Sequence, residues 1–202
     1  MRRVGALRLF PRHNVAMTPC KFIPVLLIAW FSVAVSAADK PAPPGFENAQ
    51  LRMRLQPRTP NQMAAFYEAR GFPKKMVETL KGYCFITVGI RNKSRKVIWL
   101  EQDNWHFVTA HGEVERLHRR RWKDIWAAMA VPQAAQSTFR WTLLPEVLDF
   151  RPDEGEGGNV VLKRIGAPFS LVARFATGED KQGDAVEVRI DGLQCANDEV
   201  AK

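Results

Sequence analysis

The sequence predicts a mainly β protein, an antiparallel two-sheet sandwich with short helices before the first long strand and at one crossover. Three observations predict it. Apolar and polar residues alternate in many short runs, turn residues separate these runs at close intervals, and strands do not alternate with long helices as a parallel α/β fold requires.

The N-terminal 37 residues stand apart from that pattern. Residues 22–38 carry no charged side chain, and the segment before them holds Arg2, Arg3, Arg8, Arg12 and Lys21 with no acid. A basic segment ahead of an apolar run reads as a signal peptide, with small residues at Val35 and Ala37, or Ser36 and Ala38, to suit cleavage near Ala37 or Ala38. The alternative is an uncleaved anchor, because 17 residues is at the short edge of a bilayer span. Met17 offers a second start with a shorter leader. The sequence therefore divides into a signal peptide (1–37), a Pro-rich linker (38–48) and a single β-sandwich domain (49–198) whose mature form is periplasmic or secreted and not membrane-spanning.

Cleavage changes the composition that matters. Removing five basic residues takes the net charge from +9 to +4, since 25 basic residues then face 21 acidic ones. That modest excess, in an exported protein, excludes nucleic acid as the expected partner. Cys20 is lost with the leader, and the remaining pair, Cys84 and Cys195, reads as a disulfide in an oxidising compartment.

Within the domain, Leu51, Met53 and Leu55 alternate with Arg52, Arg54 and Gln56, the period of a half-buried strand. Thr59, Pro60 and Gln62 follow as N-cap, N1 proline and N3 partner of a capping box, so a helix starts there with Met63, Phe66 and Tyr67 on its apolar face and Gly71 ending it. A second short helix opens at Pro73, turns Met76, Val77 and Leu80 inward and stops at Gly82. Then the period returns to two: Cys84, Ile86, Val88 and Ile90 face one way in the clearest strand of the chain. Further strands are predicted at 97–102, 105–110 and 113–118, the last two joined by a His111-Gly112 turn. Trp122, Ile125, Trp126 and Met129 recur at helical spacing, so an amphipathic helix crosses there and ends at Pro132. Strands at 138–144, 159–165, 169–176 and 185–193 complete the set, with 153–158 as an acidic, glycine-rich loop.

The strand at 85–92, its polar turn into 97–100, the aromatic strand at 105–107 and the last strand at 186–190 together resemble the immunoglobulin-like domains of bacterial exported proteins. The resemblance covers about half of the mature chain. It implies a sandwich and carries no catalytic motif.

Residues with chemistry to offer are few. His106, His111 and His118 are the metal-ligand candidates, yet the predicted hairpin register sets His106 and His118 on opposite faces. Ser94, Ser137 and Ser170 occupy no nucleophile elbow, and a disulfide accounts for Cys84 more simply than a catalytic thiol does. The loop of Asp153, Glu154 and Glu156 lacks the regular spacing of a calcium loop. The densest cluster is Arg119, Arg120, Arg121 and Lys123 around Trp122 and Trp126, a patch that suits an acidic protein or an anionic lipid surface, with the indoles as interface anchors. The sequence thus points to an exported, non-catalytic binding or accessory protein of the cell envelope without a cofactor, whose partner is an envelope protein or an anionic surface. A periplasmic copper- or zinc-handling protein, or an enzyme of unrecognised type, is the alternative.

Overall fold

The computed structural model describes residues 43–198. The predicted signal peptide, its cleavage site and the choice between Met1 and Met17 lie outside them. Strands β1 (Gly45–Glu47) and β2 (Leu51–Arg58) pair antiparallel, with Leu51, Met53 and Leu55 fully buried and Arg52, Arg54 and Gln56 exposed, as a period of two demands. β1 falls within the span predicted as a linker. Phe46 packs against the core, and Glu47 ion-pairs with Arg52, Arg54 and Lys93, each at 2.8 Å, which ties the segment down.

Helix α1 (Pro60–Glu68) carries the predicted capping box: Gln62 N donates to Thr59 Oγ1 at 3.2 Å, and Thr59 N donates to Gln62 Oε1 at 3.1 Å. α2 (Lys74–Lys81) buries Met76, Val77 and Leu80 completely. β3 (Tyr83–Asn92) is followed by β4 (Ile98–Glu101), a single 3₁₀ turn, β5 (Trp105–Thr109) and β6 (Gly112–Glu113). Helices α3 (Arg119–Ala128) and α4 (Gln133–Thr142) precede β7 (Val147–Phe150), β8 (Gly155–Lys163), β9 (Phe169–Thr177) and β10 (Gly183–Leu193).

The strands form two antiparallel sheets. One has the order β1-β2-β3-β8; in the other, β9 pairs with β10 along one edge and with β5 and then β4 along the opposite edge, β6 and β7 lying outside them. Their facing sides make the main core, with Leu51, Ile86 and Leu162 from one sheet against Phe107, Leu171 and Phe175 from the other. The four helices make a second core on the outer side of the first sheet, around Tyr67, Trp122, Trp126 and Phe139, and the sheet contributes Phe85 and Val161 to it. The coarse expectation of a β sandwich with added helices therefore holds.

Several predicted elements differ. The strand at 138–144 is helix α4. Phe139, Trp141 and Leu143 alternate with polar residues and imitate a strand, but Phe139 is 1 % exposed and Trp141 79 %, which a helix at this position satisfies. Gln133, Ala134, Ala135 and Gln136 favour helix, and Pro132 opens this helix as its N-cap, the preceding helix having already ended at Ala128 with Met129 as its C-cap. The hairpin after β5 pairs Val108 with Glu113 and Thr109 with Gly112, so Ala110 and His111 form the turn, two residues off the predicted register. Its second strand stops at Glu113 instead of 118, because the chain leaves to cover the edge of β8: Leu117 N donates to Val161 O at 2.8 Å, and Arg116 bridges Leu162. Gly155 to Gly158, predicted as loop, belong to β8; a Cβ at Gly158 would stand 2.6 Å from Leu144 Cα, so glycine is what lets that strand pass. β7 has no counterpart in the predicted set.

Cys84 on β3 and Cys195, just past β10, are joined in a disulfide with Cα atoms 5.3 Å apart, and both are buried. The bridge links the two sheets covalently. Arg164 reinforces it, donating to Tyr83 O and Ala196 O at 3.1 Å each, on either side of the two cysteines. Replacing either cysteine by serine is expected to lower unfolding stability by about 2–5 kcal/mol, checked by urea denaturation under oxidising conditions. Glu47 generates a pH prediction. The hydrogen bonds from Arg52 and then Lys93 and Arg54 hold its carboxyl far below the ordinary 4.5. A depressed carboxylate contributes stability above its unfolded value and loses it as pH falls, so the urea midpoint drops below about pH 4.5 more steeply in the wild type than in Glu47→Gln.

Candidate functional site

Helix α3 buries one stripe and exposes the rest. Trp122 and Trp126 are 2 % and 1 % exposed, stacked with ring centroids 5.0 Å apart, and Phe139 of α4 meets both edge-on at 4.9 and 5.2 Å. These rings floor a cleft of about 530 Å³ between α3 and α4. Its rim is cationic: Arg119, Arg120 and Lys123 stand on α3 and Arg140 on α4, and no acidic side chain among the described residues lines it. Gln133, Gln136 and Ser137, spaced with Arg140 at i, i+3, i+4 and i+7, supply the α4 wall.

The cations sit at the less favourable end of their helix. Arg119, Arg120 and Arg121 occupy the first turn of α3, where the helix dipole already places positive charge, and His118 at the N-cap makes no side-chain cap. Glu146 offsets part of this, accepting from Arg119 N at 2.7 Å. Burial pulls the Arg119 guanidinium below the usual arginine range, with Glu146 opposing that shift and Arg140 adding to it. Arg119 Nη2 donates to Leu143 O at 2.9 Å, whereas its Nε and the indole nitrogens of Trp122 and Trp126 are buried without an acceptor among the described residues. A cationic cleft with an apolar floor is chemically complementary to an anion carried on an apolar body.

Of the predicted patch, Arg119, Arg120, Trp122, Lys123 and Trp126 line this cleft, and Arg121 does not. The two tryptophans differ from expectation: as buried floor they are unable to serve as interface anchors. The α4 half was missed because 138–144 reads as a strand, although the Gln-Ala-Ala-Gln run after Pro132 carries the helical signal. Ser137 lies in the cleft without a hydrogen-bonded base, and Ser170 donates to Asp191 at 2.6 Å on another face.

The histidines stay apart. His106 Nδ1 is 3.0 Å from Glu113, His111 is in the hairpin turn, and His118 Nδ1 is 3.0 Å from the guanidinium of Arg116, itself bonded to Gln102 and Asp103. Among the described residues no group of three or more His, Cys, Asp or Glu side chains is arranged to hold a metal. Likewise no helix there is long and apolar enough to cross a membrane. In the acidic loop, Arg151 N donates to Glu154 at 2.8 Å and Asp153 lies 3.9 Å from Arg91.

No family model matches the chain, and no curated protein matches it. Among solved structures it is similar to a Bacillus subtilis protein provisionally described as a lipoprotein, at 11 % identity and a TM-score of 0.41. The match covers 75 % of this chain and 39 % of that one, so this chain spans well under half of its length.

Two aromatic residues on α4 separate the packing roles. Phe139→Ala should cost about 3–5 kcal/mol, as for other large buried aromatics. Trp141→Ala should stay within about 0.5 kcal/mol of the wild type. Urea titration of both variants checks this.

Proposed function

We propose that this is an exported, non-catalytic accessory protein of the cell envelope, an immunoglobulin-like sandwich whose helical layer carries the working surface. In this reading the α3–α4 cleft docks an acidic segment of another envelope protein, one that also offers an apolar side chain. The observation that carries the reading is the cleft's imbalance: four cations rim it without a lining acid among the described residues, above a floor of tryptophan and phenylalanine. Acidic residues meet the rim and an apolar residue fills the centre, the usual division between steering charge and buried anchor at an interface. The burial of both indoles favours a protein segment over a lipid surface, since neither ring is available to insert into a headgroup layer. The Cys84–Cys195 disulfide and the predicted leader support the exported location.

A fluorescent peptide with glutamates flanking a central phenylalanine serves as the probe, titrated into the purified protein. Binding is expected to weaken with salt and to fall about tenfold in Arg120→Gln/Lys123→Gln, a loss of about 1.4 kcal/mol. Binding that ignores the double substitution would falsify the proposal, as would a preference for phosphatidylglycerol vesicles over the peptide.

A further inference from the structure

Helices cover only part of the first sheet's outer face. Beyond Phe85 and Val161, the outward positions pair across β3 and β8 as Thr87 with Asn159, Gly89 with Gly157 and Arg91 with Gly155. The floor is therefore mostly bare backbone. Two depressions meet on it and share Gly157: one of about 590 Å³ between α1 and the end of α4, and one of about 380 Å³ bordered by Arg52, Arg54 and Arg91 and by the acid Glu156.

Gly89 is not a packing glycine. A Cβ built there meets nothing within 4 Å, and its backbone lies outside the left-handed region, whereas the same test at Gly158 strikes the backbone of Leu144. Glycine inside a strand lowers stability, so a position with no steric need for it calls for another reason. Keeping the groove floor clear is such a reason.

The larger depression has a definite chemistry. Trp141, the most exposed large apolar side chain among the described residues at 79 %, lines it, as does Phe66, whose ring carries the Arg70 guanidinium at 3.5 Å. Arg58 donates from Nε to Thr87 Oγ1 at 2.9 Å, and Thr87 donates on to Asn159 Oδ1 at 2.8 Å, which orients the arginine over the sheet. Neither Arg58 nor Arg70 has a carboxylate within ion-pair distance among the described residues, and no acid lines this depression. The contrast is with Arg52 and Arg54, which share Glu47. Uncompensated positive charge thus concentrates at the end that also holds the exposed indole, among the neutral hydrogen-bonding side chains of Gln62, Thr142 and Asn159.

We propose that this groove binds an acidic oligosaccharide, with one sugar ring against Trp141, its carboxylate on Arg58 and Arg70, and the chain continuing over Gly157 and Gly89. An apolar ring face with an anionic substituent accounts for the indole and the two guanidinium forks together. The amide and hydroxyl groups between them favour a polyhydroxylated ring over an aromatic acid. Arg52 and Arg58 stand six positions apart on β2, about 20 Å at strand rise, long enough for several linked sugars. The site lies across α4 from the cationic cleft and does not depend on it.

The test is calorimetric titration of the purified protein with oligogalacturonates of increasing length, with neutral oligosaccharides of the same length and a single-stranded oligonucleotide as competing probes. The oligogalacturonate should bind, more tightly as it lengthens, and the neutral sugar at least about tenfold more weakly. Trp141→Ala and Arg58→Gln/Arg70→Gln should each remove binding while leaving the unfolding midpoint near wild type. Gly89→Val should fold at least as stably and lose the gain from the longer oligomers while still binding the shortest. The proposal is overturned by no oligogalacturonate binding up to millimolar concentration, by tighter binding of the oligonucleotide, or by binding indifferent to Trp141 and the two arginines.

Discussion

Strands β3 and β8 have to be buried on both sides for half their length, and the rest of the molecule is arranged around that requirement. Cys84, Ile86 and Leu162 turn into the space between the sheets, while the intervening Phe85 and Val161 turn outward with equally complete burial. An outward phenylalanine on a sheet needs a cover, and the four helices are that cover. Tyr67 of α1 lies 6.2 Å from Phe85 between ring centroids and 5.5 Å from Phe139 of α4, so a chain of aromatic contacts runs from the sheet to the outermost helices. Both surface depressions inherit their positions from this. The cationic cleft opens between the two helices that the aromatic cluster draws together, and the glycine-floored groove begins where the outward apolar residues end.

Electrostatics then distinguishes one region from another. Glu47 serves Arg52, Arg54 and Lys93 at once, which offsets part of the charge at the far end of the first sheet and clamps β1 to it. Around α3 compensation is partial: Glu146 answers the backbone of Arg119 and draws on the buried Arg116, but Arg120, Lys123 and Arg140 line a cleft that no acid among the described residues lines. Basic residues at the positive end of a helix work against its dipole, and a fold selected for stability alone has no use for three in succession. The same reasoning applies to Gly89, which weakens a central strand without relieving any crowding.

Much of this was legible beforehand, and the legible parts share a property: they are set by neighbours along the chain. The capping box at Thr59 and Gln62, the inward stripe of α2, the alternation of β3 and the tryptophan stripe of α3 all follow from side chains a few residues apart. The α3 half of the cleft was visible for the same reason. The misread elements are those where a distant partner decides. Residues 138–144 alternate well enough to pass for a strand until Phe139 finds Trp122 and Trp126. The hairpin after β5 was cut short by a competing edge, since Leu117 takes Val161 as its backbone partner in place of β5.

By itself, then, the sequence determined the β character of the domain, its first two helices, the pair of cysteines able to bridge and the concentration of charge on α3, because periodicity, capping chemistry and composition act locally. Tertiary structure alone decided that residues 138–142 stay helical against their alternation, that Gly155 to Gly158 continue a strand, and that both indoles of α3 are floor instead of anchors. Each of those outcomes depends on which surfaces meet across the fold, and burial of an aromatic ring outweighs the small differences in local preference that a sequence expresses.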